Sequence, residues 1–591
     1  MTATLKIPSL TTPPTTEPDH EPDQHSELSA TRHLCAGVYL DRSFRDLVIR
    51  KVHNDSRRRV APSYGFDLVP VVRHAWRAWV LEVVLHTAVL AILTAGLVLH
   101  NVLAVITVLC AFATYVLLIF TVRNLVEFLR LRAASEATRW SDRPNSRTRF
   151  QNIQEQEKVK RRFKVSFAGC LVLVLTPFLV ARSLDSSPRA ALPAAIVLAG
   201  ALLLCGTLVG IVRQLQLNAN QRARSLRPAK LTRREEVIDE QQDHACVVYQ
   251  RPANKKDADP LDLLLDPQES PSPFVGTGKM VNRWLPPMTV QLLRPDPVNA
   301  QGLEQREHTT PPFEAHRLVE HLKSALEQLT TDTGSENLPG LRVCHRLYVA
   351  EPDVSANRKL FDSDLAFMIN RIIDNPLTLA HHFLETSVPI AGGELVTTVL
   401  IRVSLKGRCL SLDVATCALT RTPQGFQVTD RFAEHGFTAV VRAAFRDLFK
   451  LPGNVLRVWR LVEIPVVVGR AWWAIKDRTR KPRRGVPVSA RVALRENAAE
   501  DWSDAQLDRT TIYDHMKIIE QRILKAAVDF LKAHDVDTSA FERQATSIIN
   551  SGVLNMGSGN TVTNNAIGAS AKVMLDAAQS LQQQAEKGQS A

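Results

Sequence analysis

The longest apolar run of the chain lies in its first quarter. Residues 83–122 contain no Asp, Glu, Lys or Arg. At about 1.5 Å per helical residue, the run covers about 60 Å, which is two hydrocarbon cores of about 30 Å each. The polar pair at 100–101 divides it. The pattern therefore predicts a transmembrane hairpin at 79–122, with spans Trp79–Leu99 and Val102–Val122.

A second apolar region predicts another transmembrane hairpin at 165–212. Its spans are Val165–Ala181 and Ala190–Val212, and the polar sequence RSLDSSPR separates them. The first of these spans is short and contains Pro177, which makes it the weakest of the four. The alternative is the buried helical core of a soluble protein, but two adjacent uncharged runs in the first hairpin disfavour it. We expect a membrane α-helical region of four transmembrane helices in two hairpins.

Basic residues are concentrated on one side of the predicted spans. The stretch 123–164 contains 12 Lys and Arg against 5 Asp and Glu, whereas the short loop at 100–101 contains no Lys or Arg. Lys and Arg favour the cytoplasmic side of a membrane. We therefore predict a multi-pass protein of the cell membrane with both termini in the cytoplasm. The basic parts are then a juxtamembrane segment at 33–78, a cytoplasmic loop at 123–164 and a linker at 213–239.

From residue 240 onward the apolar positions follow the patterns of a soluble domain. The clearest strands are 394–405 and 407–419, joined at Gly407, which accepts the positive φ of a tight turn. Helical spacing of apolar residues predicts a helix at 314–329. We predict a cytoplasmic α+β domain with an antiparallel sheet over 240–435. Its other predicted strands are 244–249, 288–293 and 341–350.

Several short blocks in this half are distinctive: CVVY, PFVGTG followed by NRW, LPGLRVCHRLYV, GGELVTTVLIRVSLKGRCL and SIINSGVLN. With these blocks the chain resembles uncharacterised multi-pass membrane proteins of actinobacteria that have a cytoplasmic α+β domain and an Asn/Gly-rich C-terminal motif. The resemblance covers roughly residues 240–570 and supports the layout predicted above. That family has no assigned activity, so the resemblance implies no catalytic or ligand-binding residues.

The segment 436–500 is basic, and aromatic residues are interleaved with its cations. Its apolar runs are too short to span a bilayer. Basic amphipathic stretches with tryptophan lie at the membrane surface, where their cations meet anionic lipid head groups. Nucleic acid is a less favoured partner, and a solvated helix packed on the sheet domain is the simpler alternative. The candidate membrane-surface residues are Trp459, Arg470, Trp472, Trp473, Lys476, Arg478, Arg480, Lys481, Arg483 and Arg484.

The C-terminal part divides into three segments. The apolar pattern of residues 501–545 predicts a helical segment, with a helix at Asp508–His534. Residues 546–568 are rich in Asn and Gly, which predicts a β-type motif of turns and short strands, and 569–591 predicts a C-terminal helix or tail. Three interpretations of the Asn/Gly motif stay open: a β-arch packed on its own domain, a disordered linker and a self-association motif. Its candidate assembly residues are Asn550, Asn555, Asn560, Val562 and Asn565.

Composition narrows the class of protein further. The net charge of +13 and the pI of about 9.5 suit a protein that meets an anionic surface. Residues 1–32 lack the basic and apolar regions of a signal peptide and are predicted as a disordered tail. The 8 cysteines are scattered without a CxxC pair, which is typical of reduced structural thiols.

The sequence contains no familiar catalytic motif. GTGK at 276–279 lacks the first Gly and the Ser or Thr of a Walker A motif, so we expect a turn with positive φ at Gly276 and Gly278. The adjacent pair His381-His382 would point to opposite faces of a strand and could not share one metal ion. Neither GxSxG nor HExxH occurs. We predict no catalytic, cofactor-binding or metal-binding residue and no cofactor.

Three classes of function remain. The favoured one is a non-enzymatic membrane protein that anchors a cytoplasmic binding or assembly domain, as a scaffold, sensor or signalling component. Its predicted partners are the lipid bilayer, anionic head groups, an unidentified cytoplasmic protein and a second copy of the chain. The alternative is a pore or transporter, for which Glu82 and His86 supply intramembrane ionisable groups and Gly206 and Gly210 allow close helix packing. A membrane-bound enzyme without a familiar motif is the third class, so enzymatic activity is open but disfavoured.

Overall fold

The computed structural model describes most of the chain, and every structural statement below concerns that part. The described residues are 29–99, 102–139, 146–183, 188–249, 273–295, 303–308, 310–331, 336–354, 358–361, 365–375, 377–475, 488–490 and 492–554.

Short helical elements precede the first apolar helix. They are α1 (Ser29–Leu40), α2 (Arg42–Leu47) and a π-helical stretch, Val48–His53. Asp41 begins α2 because its carboxylate accepts a hydrogen bond of 2.8 Å from the Ser43 backbone N–H. The predicted boundary of the disordered tail at residue 32 is therefore wrong, since residues 29–32 belong to α1. The predicted juxtamembrane segment is a folded region whose apolar side is buried.

Four long helices form the apolar half of the molecule. They are α3 (Leu68–Leu99), α4 (Val102–Arg139), α5 (Ser146–Ser183) and α6 (Pro188–Arg222). Each contains a stretch that is long and apolar enough to cross a membrane. All four predicted spans lie within these helices, so the predicted fold of this half is confirmed. Helices α3, α4 and α6 share an apolar core, while α5 packs mainly along α4.

Helices α4 and α5 are longer than a membrane requires. Each has 38 residues, or about 57 Å of helix against a hydrocarbon core of about 30 Å. The predicted basic loop 123–164 is therefore mostly helical, since α4 continues to Arg139 and α5 begins at Ser146. The excess of Lys and Arg that marked this stretch concerns orientation and carries no information on secondary structure.

Helix α7 (Arg233–Gln242) connects the membrane helices to a sheet, and a Thr232–Glu235 capping box fixes its first turn. The strands are β1 (Cys246–Tyr249), β2 (Lys279–Arg283), β3 (Met288–Gln291), β4 (Arg342–Ala350), β5 (Ala380–Ile390), β6 (Leu395–Lys406) and β7 (Cys409–Leu419). They form a seven-stranded sheet of order β1-β4-β5-β6-β7-β2, and β3 also pairs with β7. The predicted antiparallel sheet is confirmed, except that β1 and β4 are parallel. Gly407 joins β6 and β7 with a φ of 61°, as expected.

The remaining helices cover the sheet or return to the membrane helices. They are α8 (Leu303–Arg306), α9 (Ala315–Glu327), α10 (Leu365–Asp374), α11 (Gln424–Gln427), α12 (Asp430–Val455), α13 (Ile464–Ala474), α14 (Leu494–Asn497), α15 (Asp508–Ala533) and α16 (Ser539–Leu554). Helices α9 and α15 pack on one face of the sheet, where Val399 and Ile401 share a core with Ile519 and Ile523. The α+β domain therefore includes the helical segment after residue 501. The predicted boundary at residue 435 is wrong.

The other face of the sheet holds a buried ion pair and receives the N-terminal region. Arg346 donates to the Glu385 carboxylate at 3.2 Å, and Tyr64 donates to the same group at 2.8 Å. Beside them Gly65 and Gly393 approach so closely that a Cβ on Gly393 would lie 1.8 Å from the Gly65 carbonyl oxygen. Both glycines have positive φ. The backbone contact itself therefore fixes the N-terminal region to the sheet.

The Asn/Gly-rich motif begins differently from the prediction. Helix α16 continues to Leu554, so residues 546–554, including Asn550, are helical and not β-type. Apolar residues of this helix, such as Phe541 and Ala545, pack into the main core and extend it past the point where local propensity favours turns. Residues 555–591, which contain the other predicted assembly residues and the predicted C-terminal helix, lie outside the described part.

Candidate membrane-interface site

Residues 437–475 form a helical hairpin that lies against the membrane helices, and we call it the hairpin segment. Its first arm is the part of α12 that follows Gly436, where non-helical backbone angles kink the helix. The Gly436 carbonyl accepts a hydrogen bond from Asn218, close to the end of α6. From there the arm runs along α6, so that Asp447 meets Gly210 and Leu451 meets Gly206. The arm thus follows α6 backwards into the apolar region.

The two glycines of α6 make room for this arm. A Cβ on Gly206 would lie 2.6 Å from a Leu451 methyl carbon, and one on Gly210 would lie 2.6 Å from an Asp447 carboxylate oxygen. Arg213, one turn further along α6, donates to Asp447 at 2.5 Å. The close packing expected of Gly206 and Gly210 is therefore present, but their neighbour is the hairpin segment and not another spanning helix.

The second arm returns along α3. After the turn at 456–457, a 3₁₀ helix (Val458–Glu463) leads into α13. Glu463 pairs with Arg50, and Asn54 donates to the Val467 carbonyl oxygen at 3.1 Å. Val467 is buried in the core formed by α1 and α3. The second arm is thus fixed to the N-terminal region, and the first arm to α6.

The outward side of the hairpin segment carries large apolar side chains, with exposed cations such as Arg442 between them. Phe437, Phe445, Phe449, Trp459 and Val462 are 59–80% exposed. Such a row of large apolar side chains is costly in water and favourable in lipid. Its arms lie beside membrane helices, so this side continues the apolar surface of the bundle.

The predicted membrane-surface residues are only partly described. Trp459, Trp472 and Trp473 are all more than half exposed on the hairpin segment, and Arg470 is exposed beside them. Their contact with lipid stays a prediction. Lys476, Arg478, Arg480, Lys481, Arg483 and Arg484 lie outside the described residues.

A basic cavity of about 170 Å³ lies where α2, α3, α6 and the hairpin segment meet. Two carboxylates line it. Glu82 pairs with Arg42 and Arg45 of α2, and Asp447 pairs with Arg213. The five cations that line the cavity are Arg42, Arg45, Arg213, Lys450 and Arg457.

Several donors of this cavity are unsatisfied within the described part of the chain. Lys450 and Arg457 form no ion pair or side-chain hydrogen bond there. The Nε–H groups of Arg42 and Arg45 are buried without an acceptor, and Arg45 as a whole is only 6% exposed. Buried polar groups are normally hydrogen-bonded. The cavity therefore offers positive charge and free N–H donors.

A buried histidine lies between two carboxylates at the start of α12, before the hairpin segment. His33 of α1 bonds to Glu394 at 2.7 Å through Nδ1 and to Asp430, the first residue of α12, at 2.9 Å through Nε2. Burial alone would lower the pKa of His33, but the hydrogen bonds and charges of both carboxylates raise it to about 9. Burial would raise the pKa of Glu394, but His33 and Arg495 lower it to about 2. We call these residues the His33 clamp, and it joins α1, the sheet and α12.

Metal chemistry finds weak support. Glu314, His316 and Asp374 could meet around one ion, but two of the three are exposed, and His316 already bonds to Asp374 at 2.7 Å. His345 and His382 bond to each other across neighbouring strands at 3.0 Å. Burial and the neighbouring His345 lower the pKa of His382 to about 3, which suits a neutral, structural imidazole.

Sequence reasoning missed the cavity because its cations come from three segments that are distant in the sequence. Arg42 and Arg45 belonged to a stretch recognised only as basic, and Arg213 marked the end of a span. One usable signal was present. Gly206, Gly210 and Arg213 lie on one side of α6, which is the pattern expected where a second helix carries an acidic residue.

Comparison with known proteins gives one match. Residues 286–563 match the family model described as AbeC, AbeC-like domain. No curated protein and no solved structure matches the chain. The matched region contains β3–β7, the hairpin segment and α15–α16, but none of the four membrane helices. The hairpin segment thus belongs, by sequence, to the same unit as the sheet.

Proposed function

We propose that this protein is a non-enzymatic, multi-pass protein of the cell membrane that holds a cytoplasmic binding or assembly domain at the inner surface of the bilayer. The hairpin segment is the observation that carries the proposal. A flexible tether would leave the domain free to rotate, whereas here the first arm packs on α6 and the second arm packs on α3. The domain is thereby held in one orientation, as a scaffold, sensor or signalling component requires.

The distribution of basic residues supports the cytoplasmic side for this domain. The extensions of α4 and α5 lie at the same end of the bundle as Arg213 and the sheet, and the sequence 123–164 contains 12 Lys and Arg against 5 Asp and Glu. On this topology, both termini are cytoplasmic. The exposed Trp and Phe side chains of the hairpin segment then lie among the lipids of the inner leaflet, with neighbouring cations near the anionic head groups.

The geometry of the spans speaks against a pore. Hydroxyls of Thr94, Thr107, Thr114 and Thr176 each donate to a backbone carbonyl one turn earlier in their own helix. The O–H donors of these residues are therefore already used within their own helices. Glu82, the acidic group of the first span, pairs with Arg42 and Arg45 at the end next to the sheet domain.

Photo-crosslinking to lipid tests the proposal. A benzoylphenylalanine at position 449 or 472 of the full chain, irradiated in native membranes, is expected to form lipid adducts that mass spectrometry detects. The same residue at Leu377, a leucine of the sheet domain that is 89% exposed, serves as the control and is expected to form none. Equal adducts at all three positions, or none at 449, would contradict an inserted hairpin segment.

A further inference from the structure

The basic cavity has the depth of a lipid phosphate. On α6 it extends from Arg213 to Gly206, which is seven residues or about 10 Å along the helix. On α3 it extends from Ala78 to Leu85, at the start of the apolar run. Both helices therefore place the cavity where the hydrocarbon of one leaflet gives way to head groups.

Its charge is not balanced by the protein. Five cations and two carboxylates, Glu82 and Asp447, line the cavity, and Asp46 also pairs with Arg45 at 3.7 Å, which leaves an excess of two positive charges. Both carboxylates are already engaged by arginines. Lys450 and Arg457 are left without an anion in the described part of the chain. An uncompensated cation at this depth is costly, and the nearest abundant anion is a lipid phosphate.

The space and the donors fit a phosphate. The volume of about 170 Å³ far exceeds the roughly 10–15 Å³ that a single water needs. A phosphate oxygen accepts several N–H bonds at once, and arginine is well suited to supply them. Arg42, Arg45, Arg213 and Arg457 line the cavity and supply such donors. Apolar side chains of Leu40, Leu85 and Val209 share the lining, as the glycerol and upper acyl part of a lipid would require.

A second cavity continues the first along α12. It shares Tyr39, Arg213 and Lys450 with the basic cavity and adds another cation, Arg446. Beside it Phe445 and Phe449 are exposed on the lipid-facing side of the hairpin segment. The second cavity also reaches Gly425 and Val428, so the cationic lining continues from the basic cavity towards the sheet domain.

We infer that the basic cavity is a specific binding site for the phosphate of an anionic lipid of the inner leaflet. The inference rests on the proposed function, because it requires the hairpin segment to lie in the membrane. The lipid phosphate completes the charge balance between α2, α6 and the hairpin segment. It thus couples the docking of the sheet domain to the anionic lipid content of the membrane.

Native mass spectrometry of the full chain, purified in mild detergent and supplied with defined lipids, tests this inference. The wild type is expected to retain one phosphatidylglycerol in preference to phosphatidylcholine. Replacing Lys450 and Arg457 together by Gln is expected to weaken that retention at least tenfold. The matched control is the double replacement of Arg431 and Arg442 by Gln, which removes the same charge from α12 but lies outside the cavity lining.

The outcomes separate the sources of phosphate and the two proposals. Equal loss of retention in the two double variants would show general surface attraction and would overturn the site. If inorganic phosphate competes with the lipid and binds as tightly as the lipid does, the assignment of the site to a lipid would be overturned. The crosslinking at position 449 is repeated in the Lys450→Gln, Arg457→Gln chain. Lipid adducts there with phosphatidylglycerol retention unchanged refute the site alone, whereas absence of adducts in the wild type refutes the proposed function.

Discussion

Replacing His33 by Gln should loosen the attachment of α1, and the effect should depend on pH. In the wild type, protonated His33 donates to Glu394 at 2.7 Å and to Asp430 at 2.9 Å, and its side chain is 6% exposed. Gln is similar in size but carries no charge. The change therefore removes the cation that holds two carboxylates together, while leaving the packing of α1 largely intact.

The magnitude follows from the pKa of His33. A rise from 6.5 to about 9 corresponds to about 3 kcal/mol, at about 1.36 kcal/mol for each pKa unit. Because the folded-state pKa is raised, this stabilisation is complete below about pH 6.5 and is lost as the pH rises through about 9. The pKa of Glu394 is lowered to about 2, so its contribution is complete above its ordinary value of 4.5 and is lost only as the pH falls towards 2. Between pH 6 and pH 10 the change is therefore due to His33.

Hydrogen exchange of the α1 amides in the detergent-solubilised full chain measures this opening directly. At pH 6 the variant should exchange on the order of 100-fold faster than the wild type, and at pH 10 the ratio should fall below tenfold. Comparing the two proteins at each pH cancels the intrinsic pH dependence of exchange. The control is His316→Gln, which removes a histidine bonded to Asp374 outside the clamp. A ratio that is the same at both pH values, or that His316→Gln reproduces, would refute the electrostatic account.

Three further predictions follow from other contacts. Gly210→Leu should displace the first arm, because its Cβ would lie 2.6 Å from Asp447; we expect a loss of about 1–3 kcal/mol in unfolding experiments and fewer lipid adducts at position 449. Gly393→Ala should cost about 2–5 kcal/mol in thermal unfolding, since it combines a positive φ of 81° with overlap on the Gly65 carbonyl; a midpoint unchanged from wild type would contradict the close contact. A topology reporter fused at residue 186 should report the outside and one fused at Arg147 the cytoplasm, and a cytoplasmic signal at 186 would remove the second hairpin from the topology.

The elements that sequence predicted well are those that depend on local pattern alone. Uncharged length identified all four membrane helices, because a span must satisfy its own backbone and needs no partner to be recognised. Strict alternation identified β6 and β7, and the stripe from Ile512 to Leu531 identified α15. In each case the period of the apolar residues identifies both the type of element and the face that is buried.

The elements that sequence missed depend on contacts between distant segments. The apolar runs of the hairpin segment are too short to identify a span, and the packing of its first arm depends on Gly206 and Gly210 of α6. The helical structure of residues 123–139 and 146–164 was missed because charge bias had already assigned them to a loop. Likewise, Asn550 lies in a helix because Phe541 and Ala545 bury α16 in the main core, which outweighs the local preference of Asn and Gly for turns.

The His33 clamp and the basic cavity both connect α1–α2 to α12. Asp430 begins α12, and Asp447 lies further along the same helix beside Gly210. His33 lies in α1, and Arg45, a few residues later, lines the cavity. On the proposed topology, the His33 clamp holds the sheet domain at its own edge, and the basic cavity holds it at the depth of the lipid phosphates. Because both contacts restrain α1–α2 against α12, weakening either one increases the freedom of the segments that the other must hold. If the basic cavity holds an anionic lipid as proposed, we expect the orientation of the sheet domain to depend both on protonation of His33 and on that lipid.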